Sequence, residues 1–216
     1  MCLILLLASS DVRPILYSFR RCPYAIRARL ALAYSATQVE LRETMLRNKS
    51  AEFLQTSPKG TVPVLVIDQH HILEESLDIL FWALSQHDPD DWRYASEPAL
   101  QTLGHALIEE NDHRFKHHLD HYKYADRFPE SPKEAYRALG EGFLTKLEYR
   151  LAQQRYLLGK RLSFVDIAIL PFVRQFAFVD QDWFSQSSYP YLIQWLEHFL
   201  SSDLFQGVML KKQTRT

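Results

Sequence analysis

The pattern of apolar residues changes near residue 87, and this change constrains the fold more than any other feature. Before it, short apolar runs of strand length alternate with segments of helical periodicity. After it, apolar residues recur at spacings of three and four, and strand-type runs give way to helical ones. The change falls on the polar, proline-containing stretch at residues 87–91, as expected for a domain boundary. The sequence therefore predicts an α/β domain followed by an all-α domain.

The first domain, placed at residues 14–86, is predicted to follow the order β-α-β-α-β-β-α. Pro23 occupies a favourable first-turn position for a helix, and residues 39–43 alternate apolar and charged side chains as a half-buried strand does. Pro58 and Gly60 separate a short helix from the buried strand that follows. The predicted strands are 15–19, 39–43, 62–67 and 71–73, and the predicted helices are 23–36, 51–55 and 75–86.

The second domain, residues 98–216, follows a linker at 87–97 and is predicted to be a helical bundle. Ser163 and Asp166 have the spacing of a capping box, in which each side chain serves exposed backbone N–H groups at a helix start. The predicted helices are 98–127, 132–156, 163–178 and 189–201.

Residues 1–13 are interpreted as an N-terminal extension. Their apolar run at residues 2–8 is preceded by no basic side chain, whereas a secretory signal has a basic start. The run is also far shorter than the roughly 20 residues that span a bilayer. A secreted or membrane-anchored chain is therefore not expected.

Composition narrows the classes of partner and the cellular compartment. Hydrophobic residues make up 47% and charged residues 24% of the 216 residues, an ordinary globular balance. Twenty-five basic and 26 acidic residues leave a formal net charge of -1, so neither nucleic acid nor an anionic membrane is an expected partner. The two cysteines are too few for a disulfide framework, which favours a reducing, cytoplasmic location.

Cys22 is the candidate nucleophile. It lies between the end of the first predicted strand and the first turn of the next helix, where unpaired N–H groups and the helix dipole favour an anion. Arg20, Arg21 and Arg27 add positive charge nearby. Thiols in such places have pKa values lowered from about 8.5, and the thiolate is the reactive form. The alternative is a small buried core cysteine; Pro23 and the arginines favour the reactive interpretation.

The residue three positions beyond Cys22 is Ala25, so the chain lacks the second cysteine of a dithiol oxidoreductase. An external thiol must then complete any thiol–disulfide exchange. Cys2 is the internal alternative, but it precedes the first predicted strand. In a reducing cytoplasm the external thiol is expected to be glutathione, which acts as a co-substrate.

Several segments, taken in their order and spacing, resemble the glutathione transferase superfamily. The cysteine resembles that of the omega class and of related bacterial enzymes of the cysteine type, which are akin to monothiol glutaredoxin-like transferases. The resemblance implies a thioredoxin-like N-terminal domain, a helical C-terminal domain and a homodimer. The segments that carry it are Cys22-Pro23-Tyr24-Ala25, Thr61-Val62-Pro63-Val64-Leu65, Glu75-Ser76, and Ser163-Phe164-Val165-Asp166-Ile167 with the following Pro171.

The resemblance also implies how glutathione is bound. Val62-Pro63 resembles the family's cis-proline turn, which leaves the Val62 backbone to pair with the cysteinyl part of glutathione. Glu75 and Ser76 open a helix whose N–H groups, with the Ser76 hydroxyl, suit the γ-glutamyl carboxylate. The Glu75 carboxylate is expected to face the γ-glutamyl ammonium.

The glycine carboxylate of glutathione needs a cation. Lys49 matches the family's lysine for this duty, Lys59 is a rival for it, and a solvated surface lysine is the plain alternative for Lys49. Tyr24, inside the cysteine motif, is also expected to contact glutathione.

A second pocket, for a hydrophobic acceptor, is expected between the domains. Aromatic residues of the first long helical segment are the candidates, although core packing explains them equally well. These candidates are Phe115, Tyr122, Tyr124 and Phe128. His113, His117 and His121 share this segment at i, i+4 and i+8, but further metal ligands are lacking, so a solvated face is favoured and no metal is expected.

Together these features predict a glutathione-dependent thiol transferase or reductase in which Cys22 forms a mixed disulfide with glutathione. Its partner would be a small electrophilic or disulfide acceptor. Tyr17 and Ser18 precede the cysteine, so a glutathione-conjugating transferase is one alternative. The others are a non-catalytic binding protein on the same fold, like the stringent starvation proteins that bind RNA polymerase, and a membrane-inserting relative of the intracellular chloride channel proteins.

Overall fold

The computed structural model describes residues 13–45 and 47–210. The apolar run at residues 2–8, Cys2 and nearly all of the predicted N-terminal extension lie outside the described residues. Leu46 and residues 211–216 lie outside them as well.

A four-stranded sheet forms the centre of the first domain. Its strands are β1 (Ile15–Ser18), β2 (Glu40–Glu43), β3 (Val64–Val66) and β4 (Ile72–Leu73), in the spatial order β2-β1-β3-β4. β1 pairs in parallel with β2 and antiparallel with β3, which pairs antiparallel with β4. Leu16 and Leu65 are paired across β1 and β3, and both are buried. The apolar runs that were predicted to be strands therefore bury their side chains in this sheet.

Three helices complete the predicted order β-α-β-α-β-β-α, which is confirmed. They are α1 (Pro23–Tyr34), α2 (Ala51–Thr56) and α3 (Ser76–Gln86), and α1 packs against α3. Pro23 lies in the first turn of α1, as predicted, because a proline there gives up no helical hydrogen bond. The predicted strand at 62–67 is shorter than expected, since β3 spans Val64–Val66 and follows the cis peptide bond between Val62 and Pro63.

The second domain is helical, as predicted. Its elements are α4 (Pro98–Glu110), a π-helical turn (Asn111–Phe115), α5 (Lys116–Lys123), a short 3-10 helix (Ala125–Arg127), α6 (Lys133–Leu151), α7 (Phe164–Ala177), α8 (Gln181–Ser185), α9 (Pro190–Leu200) and α10 (Asp203–Met209). One predicted helix is too long. The helix predicted to reach residue 156 ends at Leu151, because the chain turns back in a small bridge between Tyr156 and Gly159. The short helices α8 and α10 were not predicted.

The predicted capping box at the start of α7 is confirmed. The Ser163 hydroxyl accepts from the Asp166 N–H, and the Asp166 carboxylate accepts from the Ser163 N–H at 3.1 Å. Asp166 also accepts from the Leu157 N–H and from the Trp195 indole N–H, each at 3.0 Å. Burial raises the pKa of this carboxyl to about 6, although every one of these bonds favours its ionised form. Asp166 thus joins the turn after α6 to the start of α7 and the middle of α9.

Helices α4 and α7 approach closely at a glycine. A β-carbon built on Gly104 would lie 2.6 Å from a ring carbon of Phe164 and 2.6 Å from a methyl carbon of Val165. Both neighbours are buried and hold the start of α7. Gly142, inside α6, has no such neighbour within 4 Å.

Replacing Gly104 with alanine is therefore expected to lower the free energy of unfolding by about 2 kcal/mol through overpacking. Gly142→Ala is the matched control and is expected to raise it by about 0.5–1 kcal/mol, because alanine loses less backbone entropy in a helix than glycine. Urea denaturation of the two variants beside the wild type checks this pair. A Gly104→Ala protein as stable as the wild type would show that α4 and α7 can move apart freely.

Candidate functional site

Cys22 lies where β1 gives way to α1. Its N–H donates to the Phe19 carbonyl at 2.9 Å, and its extended backbone makes it the residue before the first turn of the helix. The side chain is half-buried and makes no capping hydrogen bond. The predicted position of the cysteine at a strand-to-helix turn is therefore correct.

The predicted lowering of the Cys22 pKa is wrong for the protein without substrate. Burial raises the pKa of the thiol above its ordinary value and outweighs the nearby N–H groups of Ala25 and Tyr24, which lower it. The thiol also donates to the Val62 carbonyl, with 3.6 Å between sulfur and oxygen, which favours the protonated form.

The cations that act on this sulfur are also not the predicted ones. Lys116 and Lys123, on α5 of the second domain, lower the Cys22 pKa. Arg27 points away into a buried ion pair with Asp112, and Arg21 lies over the ring of Phe19. The charge near the sulfur therefore comes from a segment that is about a hundred residues away in sequence, which neighbouring residues in the chain could not reveal.

The rate at which iodoacetamide alkylates Cys22 is expected to rise with pH, with a midpoint at a higher pH than that of an ordinary free thiol. The reason is that the raised pKa leaves little thiolate at neutral pH. Lys116→Gln and Lys123→Gln should each move the profile to still higher pH, because each removes a charge that lowers the pKa. The measurement is made in a Cys2→Ser background, with Lys160→Gln as the control for total charge. A midpoint below that of a free thiol would contradict the dominance of burial.

A cavity of about 910 Å³ opens beside Cys22 and collects every residue that the sequence assigned to glutathione. These residues are Tyr24, Lys49, Val62, Pro63, Glu75 and Ser76. The Val62–Pro63 peptide bond is cis, and Ser76 begins α3. The sequence motifs thus converge in space although they are spread over the first domain.

The two lysines that line this cavity differ in whether they form an ion pair. Lys59 pairs with Glu75, with 2.9 Å between Nζ and Oε1. Lys49 lines the same cavity beside Gly60 and forms no ion pair with any described residue. Because Lys59 already neutralises Glu75, Lys49 is the better placed of the two rivals for an incoming carboxylate.

The pair Arg27–Asp112 reaches this cavity from the domain interface and was not predicted. The fully buried Arg27 guanidinium donates hydrogen bonds to both carboxylate oxygens of Asp112, at 2.8 and 2.5 Å. It also donates to the Ser76 hydroxyl at 3.1 Å and to the Ala168 carbonyl at 3.1 Å. Arg27 therefore fixes Ser76 of the first domain to the π-helical turn and α7 of the second.

The aromatic residues predicted for the acceptor pocket lie in different surroundings. Phe115 and Tyr122 are each 1% exposed and pack against Phe176 in the core, so they do not line the cavity beside Cys22. Phe128 stacks on His121. Tyr124 is the exception, because it lines a second cavity.

This second cavity, of about 540 Å³, shares Cys22 and Tyr24 with the first. Its other lining residues are Phe19, Arg21, Pro23, Lys116, Asp120, Lys123, Tyr124 and Gln175. The half-buried sulfur therefore lies where the two cavities meet.

The hydroxyls near the cysteine are poorly placed for chemistry. Tyr17 is buried and its hydroxyl donates to Glu52 at 3.1 Å, and Ser18 is fully buried. Neither lines the two cavities around Cys22. Tyr24 does line both, but burial and the charge of Asp112 raise its pKa to about 12, so its hydroxyl stays protonated.

Among residues 13–45 and 47–210, no group of three or more His, Cys, Asp and Glu side chains is arranged to hold a metal ion. His113 pairs with Glu109, and His121 bonds to the His117 carbonyl. No helix in this part of the chain has the length and apolar character to cross a membrane.

Two family models match the chain: "Glutathione S-transferase, N-terminal domain" over residues 16–91 and "Glutathione S-transferase, C-terminal domain" over residues 130–198. The chain is similar to a probable glutathione transferase of Aplysia californica, at 30% identity over 99 residues that cover 46% of this chain and 97% of that one. It is also similar to glutathione S-transferase omega-1 of Rattus norvegicus, at 28% identity over 164 residues, which cover 74% of this chain and 65% of that one.

Solved structures confirm the fold. A glutathione transferase from Pseudomonas putida, which holds one glutathione disulfide per subunit, superimposes with a TM-score of 0.77. The match covers 94% of this chain and 93% of that one at 18% identity, so it is a likeness of fold.

Proposed function

Because this chain belongs to the glutathione S-transferase family, we propose that it is a glutathione-dependent thiol transferase whose Cys22 carries the glutathionyl group. One observation carries the proposal. The only cysteine among the described residues lies at the junction of two cavities, and one of them holds the whole set of residues expected to bind glutathione. A sulfur in that position can exchange with a bound glutathionyl sulfur on one side and release a thiol on the other.

In this proposal glutathione spans the larger cavity. Its γ-glutamyl carboxylate accepts hydrogen bonds from the Ser76 hydroxyl and from the N–H groups at the start of α3, where the helix dipole favours an anion. Its cysteinyl backbone pairs with Val62, and its glycine carboxylate meets Lys49. Tyr24 remains a neutral hydrogen-bond donor beside the sulfur.

The reaction has two exchange steps. The Cys22 thiolate attacks the glutathionyl sulfur of a mixed disulfide; a Cys22–glutathione disulfide forms, the old disulfide bond breaks, and the acceptor thiol leaves and takes up a proton. The thiolate of a second glutathione then attacks the glutathionyl sulfur on Cys22, releasing glutathione disulfide and the Cys22 thiolate. Overall, the sulfur of the incoming glutathione is oxidised to a disulfide and the acceptor sulfur of the mixed disulfide is reduced to a thiol.

The raised pKa of Cys22 slows attack at neutral pH, because the loss of thiolate outweighs the higher nucleophilicity of the thiolate that remains. Lys116 and Lys123 stabilise the charge as it forms. Ala25, fully buried in α1, stands where a dithiol enzyme has its second thiol, so in this proposal external glutathione resolves the adduct.

The described geometry gives less support to conjugation. That chemistry needs a group that lowers the pKa of the glutathione thiol, and Tyr17 and Ser18 are turned away from both cavities. The Tyr24 hydroxyl lines both cavities, but its raised pKa keeps it protonated, so it does not act as a base toward the glutathione thiol.

Initial-rate kinetics test the proposal. The substrate is the mixed disulfide of glutathione and 2-mercaptoethanol, and glutathione is varied at several fixed concentrations of it. A covalent intermediate predicts parallel double-reciprocal lines, the pattern of ping-pong kinetics. Intersecting lines, or conjugation of chlorodinitrobenzene without turnover of the disulfide, would contradict the proposal.

A further inference from the structure

We propose that the acceptor half of the substrate carries a negative charge, and that Arg21 and Lys123 select it in the smaller cavity. This inference rests on the proposed function, since it specifies which mixed disulfides Cys22 reduces. The substrate class is a glutathione disulfide of a carboxylate-bearing thiol.

The charges that line the smaller cavity are mostly positive. Arg21, Lys116 and Lys123 face a single carboxylate, Asp120, among the described residues that line it. Lys116 forms an ion pair with Asp120, four residues further along α5. The charges of Arg21 and Lys123 are left without a carboxylate within 4.0 Å in the described chain.

Aromatic rings hold these two cations. The Arg21 guanidinium lies 5.4 Å from the centre of the Phe19 ring, and the Lys123 ammonium lies 4.8 Å from the centre of the Tyr124 ring. Both rings line the same cavity. A cation that rests on a ring face keeps its N–H groups available for an anion, whereas one engaged by a carboxylate does not.

The larger cavity has a different balance. Its cations Lys59 and Arg27 are paired with Glu75 and Asp112, and further carboxylates line its wall. Its unpaired cation, Lys49, is assigned to the glycine carboxylate of glutathione in the proposed function. An acidic acceptor would meet those carboxylates there, whereas the smaller cavity offers it two unpaired cations. The electrostatics therefore orient the mixed disulfide, with the glutathionyl half in the larger cavity and the acceptor half in the smaller.

The position of the lysines near the Cys22 sulfur also supports an anionic acceptor in the smaller cavity. Lys116 and Lys123 act on the Cys22 sulfur and line the cavity through which the acceptor thiol leaves. An acceptor anion bound at Lys123 and Arg21 would hold the leaving sulfur on the far side of the glutathionyl sulfur from Cys22, in line for exchange.

Three mixed disulfides that share the glutathionyl half test this inference. Their acceptor halves are 3-mercaptopropionate, which is anionic, 2-mercaptoethanol, which is neutral, and cysteamine, which is cationic. The wild type is expected to show kcat/KM in that descending order, with about a tenfold span from the first to the last. The span should shrink as salt is added, because exposed charges are screened.

Variants assign the effect to residues. Arg21→Gln and Lys123→Gln should each reduce the ratio of anionic to neutral kcat/KM, and the double variant should bring it close to one. Lys160→Gln removes an exposed charge of the same sign that lines neither cavity, and should leave the ratio unchanged. A ratio cancels any general loss of activity or stability.

The outcomes separate the two proposals. Equal kcat/KM for all three disulfides, or a Lys160→Gln effect as large as that of Lys123→Gln, would overturn the charge selection and leave thiol transfer intact. Failure of the wild type to turn over any of them would overturn the proposed function itself.

Discussion

Replacing Cys22 with serine is expected to lower kcat/KM for the mixed disulfide of glutathione and 2-mercaptoethanol by about a thousandfold or more. A serine hydroxyl is not ionised near neutral pH and cannot form a disulfide, so neither exchange step can proceed through this residue. The surrounding cavity is left in place, because serine differs from cysteine in a single atom and Cys22 makes no capping bond. Glutathione affinity, measured by calorimetry, should therefore change by no more than about threefold, less than 1 kcal/mol.

Cys2→Ser is the matched control. It removes the other thiol of the chain and is expected to retain wild-type kinetics, since a single cysteine with external glutathione completes the cycle. Undiminished activity in Cys22→Ser, or loss in Cys2→Ser alone, would remove Cys22 from the proposed role.

Replacing Asp112 with alanine is expected to lower the free energy of unfolding by about 3 kcal/mol. The Arg27 side chain is 0% exposed, so the variant would leave a buried guanidinium without its bidentate partner, a loss of roughly 3–5 kcal/mol in buried pairs. The Asp112 side chain is 16% exposed, and water entering there places the cost near the lower end of that range. Chemical denaturation monitored by tryptophan fluorescence gives the value.

Two further variants make this result specific. Asp126→Ala removes an exposed carboxylate that forms no ion pair with a described residue, and should change stability by less than about 0.5 kcal/mol. Adding Arg27→Met to Asp112→Ala should cost less than the sum of the two single changes, because no charge is then stranded. Additive costs, or a loss below about 1 kcal/mol in Asp112→Ala, would contradict a tightly coupled pair.

The sequence was enough to predict most of the architecture. Strand-length apolar runs, the position of Pro23 and the capping box at Ser163 each act over a few neighbouring residues, and their structures appear where expected. The motif residues for glutathione also meet in one cavity, because each belongs to an element end that faces the same side of the first domain. Short helices such as α8, of five residues, carry too little periodicity to be recognised.

What the sequence did not predict depends on contacts between distant segments. Arg27 and Asp112 are 85 positions apart, and neither has a local pattern that marks it as buried and paired. The same holds for Lys116 and Lys123, whose influence on Cys22 arises only because α5 packs near the start of α1. The role of the aromatic residues was ambiguous for a different reason. Phe115 lies within the helical segment that runs from α4 through α5, and Tyr124 follows directly after it, so only packing decides which of the two belongs to the core.

The most direct test of the account is the covalent adduct itself. The protein is incubated with glutathione disulfide in a Cys2→Ser background, quenched with acid, and analysed by intact mass spectrometry and peptide mapping. The account predicts one glutathionyl group per chain, attached to Cys22 and removed by reduced glutathione. A chain that stays unmodified under conditions in which it turns over mixed disulfides would contradict it.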